Sequence, residues 1–325
     1  LTVRDPEDPH GVRAAQYYFE HQDQFVDNLS YTAGAHNAKF GFDIATVKVL
    51  QRDRLSHSYT FSSVANYLAG NYVNLVQQFG DNTAGTRTNS YNFFAQDDWR
   101  IMRHLTLSYG VRYEYLAYPE LDPRAPIAES RSIHSDGNNL APRMGFAWQP
   151  AARTVVRGGY GLFYDTTNLR LISLAIRNDG ARVQTFNVAG TNPAAPRFPS
   201  GFAAPPNNPA LAVTPSVTAF AGGFRSMYAH QANVQVEREI LDDLSLTAGY
   251  QFYGSRRGPL LADTNLIPSG QTLADGRPVY GSARRDPRFN QIRLLYSVAN
   301  GHYHGMFLAA NKRLSRGLTF TASYT

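Results

Sequence analysis

Residues Leu105–Tyr115 read LTLSYGVRYEY. In an extended chain successive side chains point to opposite faces. Leu105, Leu107, Tyr109, Val111, Tyr113 and Tyr115 therefore form one row, and Thr106, Ser108, Gly110, Arg112 and Glu114 the other. An apolar row opposite a polar row, kept over this length, predicts a strand with one oily and one wet face. The pattern recurs along the chain. Leu244, Leu246, Ala248, Tyr250 and Phe252 oppose Ser245, Thr247, Gly249 and Gln251. Leu318, Phe320, Ala322 and Tyr324 oppose Thr319, Thr321, Ser323 and Thr325, and Phe40, Phe42 and Ile44 oppose Lys39, Gly41 and Asp43. Over 154–164 the alternation is less clean, because Val155 and Phe163 sit among polar positions.

These segments pair as hairpins: 23–33 with 38–49, 89–100 with 105–116, 139–149 with 154–164, 227–239 with 244–253, and 302–314 with 318–325. The turns inside the pairs (AHNA, IMRH, PAAR, ILDD, SRG) are short. The connections between pairs, 50–88, 117–138, 165–226 and 254–287, are long and rich in Gly, Pro, Asn and Arg. Short turns at one end and long loops at the other are the signature of an antiparallel transmembrane β-barrel. Strands of about ten residues fit a tilted crossing of the hydrocarbon layer. The competing fold, a soluble sandwich, uses strands of about five or six residues. Tyr109, Tyr113, Tyr115, Trp99, Tyr160, Tyr164, Tyr250 and Tyr324 fit interfacial girdles, where a ring lies in lipid and its polar tip in water. Lipid forbids an open sheet edge, so the expected fold is part of a larger closed barrel.

One crossing does not balance. FNQIRLLYSV (289–298) precedes Ala299-Asn300-Gly301 and a further strand, so either 254–287 hides another strand near Gly276 to Ala283, or 289–298 extends outward beyond the membrane. Two loop segments read as helices: SSVANYLAG (Ser62–Gly70), with a serine cap and a closing glycine, and TTNLRLISLAIR (Thr166–Arg177). The prolines of 192–215 predict an irregular loop.

Composition narrows the function classes. The 325 residues include no cysteine, which excludes disulfide scaffolds, thiolate metal sites and thiol nucleophiles. Net charge is +6, and Lys39, Lys48 and Lys312 are the only lysines, so arginine carries the positive charge. Acidic residues are interleaved with it and no basic helix accompanies it, so nucleic acid is not an expected partner. Gly158-Gly159-Tyr160-Gly161 lacks nucleotide-loop spacing. Asp97 and Asp98 point to opposite faces and cannot act on one substrate. His302 and His304 share a strand face, but a metal site requires three or four ligands. No G-x-S-x-G elbow occurs. The expectation is a non-enzyme without cofactor or metal. The polar rows place Asn92, Gln96, Arg112, Glu114, Arg157, Asn233, Gln235, Glu237 and Gln251 toward the barrel interior.

Several strings together resemble the Oar-like branch of the TonB-dependent outer-membrane receptors: DNLSYTAGAHNAKFGFDI, SYNFFAQDDWRIMRHLTLSYGVRYEY, NNLAPRMGFAW, VVRGGYGLFYD and YHGMFLAANKRLSRGLTFTASYT. FFAQDDWR followed by LTLSYGVRYEY is the most specific, and the matching strings run from about Asp27 to the end. The resemblance implies a 22-stranded barrel in the Gram-negative outer membrane, with residues 1–325 a partial barrel. It places the plug domain and an N-terminal regulatory-like domain outside this chain. The implied partners are outer-membrane lipid, the plug of the same protein, the TonB energy-coupling complex and a solute. The interior residues become wall or plug contacts. A passive porin or adhesin barrel without energy coupling stays open as the alternative, and a secreted carbohydrate-binding module lacks the paired carboxylates it would need.

Overall fold

A computed structural model describes residues 1–4, 17–165, 167–315 and 317–325. In chain order the strands are β1 (Thr2–Arg4), β2 (Tyr17–Ala33), β3 (His36–Arg52), β4 (His57–Thr60), β5 (Asn74–Gly80) and β6 (Thr83–Met102). Next come β7 (Leu105–Ala117), β8 (Asn139–Ala151), β9 (Thr154–Tyr164), β10 (Val183–Ala189), β11 (Ser216–Phe220) and β12 (Tyr228–Leu241). The last are β13 (Leu244–Asp263), β14 (Leu266–Thr272), β15 (Pro278–Arg284), β16 (Gln291–Ser315) and β17 (Leu318–Tyr324). Two short helices are α1 (Val64–Leu68) and α2 (Leu169–Arg177).

Eleven strands form one wall, in the order β2, β3, β6, β7, β8, β9, β12, β13, β16. Beyond β16 the same edge is shared by two strands: β11 runs parallel to Gln291–Leu295, and β17 runs antiparallel to Leu308–Ser315. The expected hairpins all form, with strands that extend further outward than the alternation alone marks. Two-residue turns join them at Gly34-Ala35, Arg103-His104, Ala152-Arg153 and Asp242-Asp243. Such turns match the twist of the flanking strands when a central residue has positive φ; Gly34 (+57°) and Arg153 (+64°) meet that need.

The unbalanced crossing resolves as a single strand. Residues 291–315 run unbroken for 25 residues, so 299–301 is not a turn and 289–298 is an outward extension. The local irregularity lies opposite, where the register shifts between Ser255, Gly258 and Pro259. Residues 276–283 contribute to the β14–β15 hairpin, which is its own two-stranded sheet. Both expected helices form, but shorter. α1 is capped by Ser63, whose side chain accepts from the Asn66 amide. α2 is capped by Asn168, whose side chain accepts from the Arg170 amide; Thr166 lies outside the described residues.

The wall curves. α2 packs against both β6 and β11, and one apolar cluster joins Ala84 of β6, Ile172 and Ile176 of α2, Phe220 of β11 and Leu295 of β16. Along the sheet, β6 and β11 are seven steps apart, roughly 34 Å at about 4.8 Å per step. A helix in contact with both brings them within about two packing distances, roughly 20 Å. Only a sheet wrapped around α2 meets both conditions, so the face bearing Ala84 is the concave one.

Among the described residues, none covers the apolar row of the convex face. Phe25, Leu29, Met144 and Met306 are 67%, 68%, 61% and 72% exposed, and each belongs to the row that also carries Tyr109, Val111 and Phe93. A soluble sandwich would press that row against a second layer. Contiguous apolar surface on this scale marks a face made for lipid. Both tryptophans sit on it near the short-turn ends, Trp99 stacked on His36 at 5.3 Å and Trp148 opposite Leu105.

Candidate functional site: the inner wall and its outer lid

Register fixes which residues share the concave face. One row across the sheet runs Lys39, Gln96, Gly110, Arg143, Gly161, Gln231. The next runs Asn37, Asp98, Ser108, Gly145, Gly159, Asn233, Gln251, Gly305. Asn92 lies between Asp43 and Glu114, and Arg157 faces Gln235. Asn92, Gln96, Arg112, Glu114, Arg157, Asn233, Gln235, Glu237 and Gln251 all stand on the face that bears Ala84. They form a polar wall rather than one compact site.

Within the wall the structure brings some of them together. The Arg112 Nε lies 2.7 Å from Glu114 Oε1, and Arg157 Nη1 donates to Glu237 Oε2 at 3.4 Å. Asn233 and Gln251 are direct cross-strand partners. Asp97 and Asp98 separate as alternation requires. Ser108 Oγ donates to Asp98 on the concave face, whereas Asp97 on the convex face meets His36 at 2.7 Å and accepts from Tyr109 at 2.9 Å. Arg143 and Phe163 add to the expected set. The Arg143 guanidinium lies 4.3 Å from the Phe163 ring centroid, a cation–π contact in which the ring's negative face meets the charge. A recess of about 390 Å³ is lined here by Phe94, Gln96, Asp98, Ser108, Arg112 and Arg143.

Glycine in the strands makes room for rings. A Cβ on Gly249 would fall 2.2 Å from the Phe307 ring, its cross-strand partner, and one on Gly41 would fall 2.5 Å from Phe94. The rings lie flat on the backbone instead of projecting into the interior.

At the outer end the long loops associate. Loops 53–82 and 165–227 meet through antiparallel pairing of β5 with β10, and β1 and β4 complete a four-stranded sheet apart from the wall. Tyr59, Phe61 and Leu75 are fully buried in it against Tyr72, Phe198 and Phe202, with edge-on ring contacts such as Phe61–Phe198 at 5.1 Å. The helix α2 packs onto the concave face through β6 and β11. Ile172 has no exposed surface, and Ile176, Phe220 and Phe224 pack with it. Burying an aliphatic or aromatic side chain of this size contributes about 1.5–3 kcal/mol. Arg177 at the end of α2 pairs with Asp53, tying the helix to the end of β3. A second recess, about 620 Å³, opens between α2 and the concave face of β2–β3, lined by Tyr18, Gln51, Asp53, Asn168, Arg170 and Arg177.

Ion pairs in the loops shift their carboxyls. Arg288 holds Asp286 below the usual carboxylate range, and Arg124 does the same for Asp122. In the turn after β12, hydrogen bonds from Lys312 and Ser315 keep Asp243 low. Burial pushes the Tyr72 phenol up. Among the described residues no group of three or more His, Asp or Glu is arranged to hold a metal ion. His302 lies beside His304, with ring centroids 5.6 Å apart.

The sequence profile of a family described as outer membrane beta barrel domain matches residues 9–325. No curated protein matches the chain. Among solved structures, the outer membrane transporter YddB from Escherichia coli superposes with a TM-score of 0.56 at 13% identity, covering 91% of this chain and 31% of that one. The copper transporter OprC superposes with a TM-score of 0.50 at 10% identity, covering 95% of this chain and 38% of that one. The chain thus spans about a third of the length of either transporter.

Proposed function

This chain belongs to the outer membrane beta barrel domain family and lies in the cell outer membrane, and we propose that it is part of the wall of a TonB-dependent receptor that imports a large nutrient solute. The eleven-stranded sheet is an arc of a larger closed barrel, of about 22 strands in the Oar-like branch that FFAQDDWR and LTLSYGVRYEY resemble. The polar concave rows face the lumen. There Arg112, Arg143, Arg157 and their carboxylate neighbours contact a plug domain of the same protein, which TonB moves by pulling from the inner membrane. Solute is selected at the outer end, by the loops that meet over the mouth.

One observation carries this reading: the lid. A passive pore works by staying open, yet here two long loops build a shared sheet, and α2 buries Ile172 against the inner wall. Ordered loops packed onto the outer end of a polar wall fit a receptor that admits solute only when driven. The likeness in fold to YddB and OprC supports the same class. The test is conductance of the full-length protein in planar bilayers bathed in potassium chloride. A coupled receptor gives no steady open pore; a constant ohmic conductance would assign the barrel to the passive class instead.

A further inference from the structure

The nine residues of α2 carry two stripes. Leu169, Ile172 and Ile176 share one side and pack on the inner wall. Arg170, Ser173 and Arg177 follow at i, i+3 and i+7, so they share another. That second stripe lines the recess of about 620 Å³ between α2 and the concave face of β2–β3, opposite Tyr18, Val49 and Gln51. The two arginines stand two helical turns apart, roughly 10 Å. Only the small side chain of Ser173 lies between them on that stripe, which leaves the gap open.

The charges of the recess are not equivalent. Arg177 is answered within the protein: it pairs with Asp53, its side chain is only 10% exposed, and its Nε donates to the Ser173 carbonyl at 3.3 Å. Glu20, one row further in on β2, accepts from the Tyr18 phenol. Arg170 is exposed, and among the described residues no carboxylate pairs with it. Two neutral amides complete the lining. Asn168 uses its Oδ1 to accept from the Arg170 backbone amide, which leaves its Nδ2 as a donor. Gln51 uses its Nε2 to donate to Asp53 at 3.1 Å, which leaves its Oε1 as an acceptor.

We propose that this recess binds the C-terminal end of a short peptide whose last residue is apolar. The terminal carboxylate meets the Arg170 guanidinium, whose planar fork takes both oxygens at once. The Asn168 and Gln51 amides supply one donor and one acceptor, the complement of a backbone C=O and N–H. The apolar side chain lies against Val49 and Leu169, with Tyr18 beside it. A bare inorganic anion would leave the two amides unused, and an uncharged glycan would leave Arg170 unanswered. The inference rests on the receptor reading above and names the chemistry that its outer end selects.

The test titrates the full-length protein in detergent, by calorimetry, with N-acetylphenylalanine and with its uncharged amide. The wild type should bind the acid at least about tenfold more tightly, the factor expected for one charge-assisted pair. R170Q should bind the two alike. R277Q, in the turn of the β14–β15 hairpin and paired with Asp275 in the wild type, should keep the preference. Excess acetate should displace nothing; displacement would make the site one for any small anion and overturn the peptide assignment. Equal binding of acid and amide by the wild type overturns the proposal without reference to any variant. So does a preference retained by R170Q that still shows heat-modifiable migration. Conductance separates the two readings: a wild type that stays closed in bilayers but is indifferent to the carboxylate keeps the receptor and loses this site.

Discussion

Replacing Ile172 by alanine tests whether the lid is held by the wall. Ile172 has no exposed surface and sits in the cluster that joins β6, α2, β11 and β16. Truncating a fully buried isoleucine to alanine costs about 2–5 kcal/mol, part lost transfer energy and part cavity. Local opening of α2 and β11 should then become at least about thirtyfold more frequent, at 1.4 kcal/mol per tenfold. Hydrogen exchange reads this directly. Amides of 169–177 and 216–220 should lose protection by that factor, while those of 105–115, paired on both sides within the wall, serve as an unchanged internal reference. Unchanged protection of α2 would refute the packing argument. Equal loss across 105–115 would refute the separation of lid from wall.

The remaining predictions concern the wall. Val111→Arg places a charge on the lipid face and should cost about 2–4 kcal/mol in urea unfolding from vesicles, whereas Gln96→Arg on the opposite face should cost close to nothing. Gly249→Val drives a side chain into Phe307 and should destabilise by about 1–3 kcal/mol; adding Phe307→Ala should recover part of that loss, read as a coupling energy in the double-mutant cycle. Asp243 is held low by Lys312 and Ser315. Its contribution is therefore complete above the ordinary aspartate value near 3.9 and disappears as pH falls through the lower folded value. Exchange in the turn 242–243 should rise only below about pH 4, and Asp243→Asn should abolish that dependence.

Much of the wall is legible in the sequence because a strand's two faces are fixed by period two alone. Leu105–Tyr115 shows both rows directly, and NLAPRMGFAW alternates cleanly enough to place Arg143 with Arg112. Phe163 is harder: a ring among glycines reads as a broken pattern until Arg143 and the room at Gly161 explain it. The lid is illegible for a different reason. Its order comes from contacts between loops more than a hundred residues apart, such as β5 with β10, and no local period encodes those. TTNLRLISLAIR announces a helix but not the concave face that Ile172 meets. Likewise nothing local predicts that Ser216–Phe220 lies parallel to β16. The break read at Ala299-Asn300-Gly301 reflects small and polar residues inside a strand whose irregularity belongs to its partner, β13.

The chain contains no cysteine, so an engineered one is unique within it once any cysteine elsewhere in the full-length protein has been replaced. Single cysteines placed in turn at 108 to 113 of the full-length protein in lipid vesicles, spin-labelled and relaxed by oxygen or by a water-soluble nickel chelate, report which face meets lipid. Positions 109, 111 and 113 should favour oxygen, and 108, 110 and 112 the chelate, alternating residue by residue. A profile without period two, or one with the phases exchanged, would contradict the assignment of the tyrosine row to lipid and of the arginine row to the lumen.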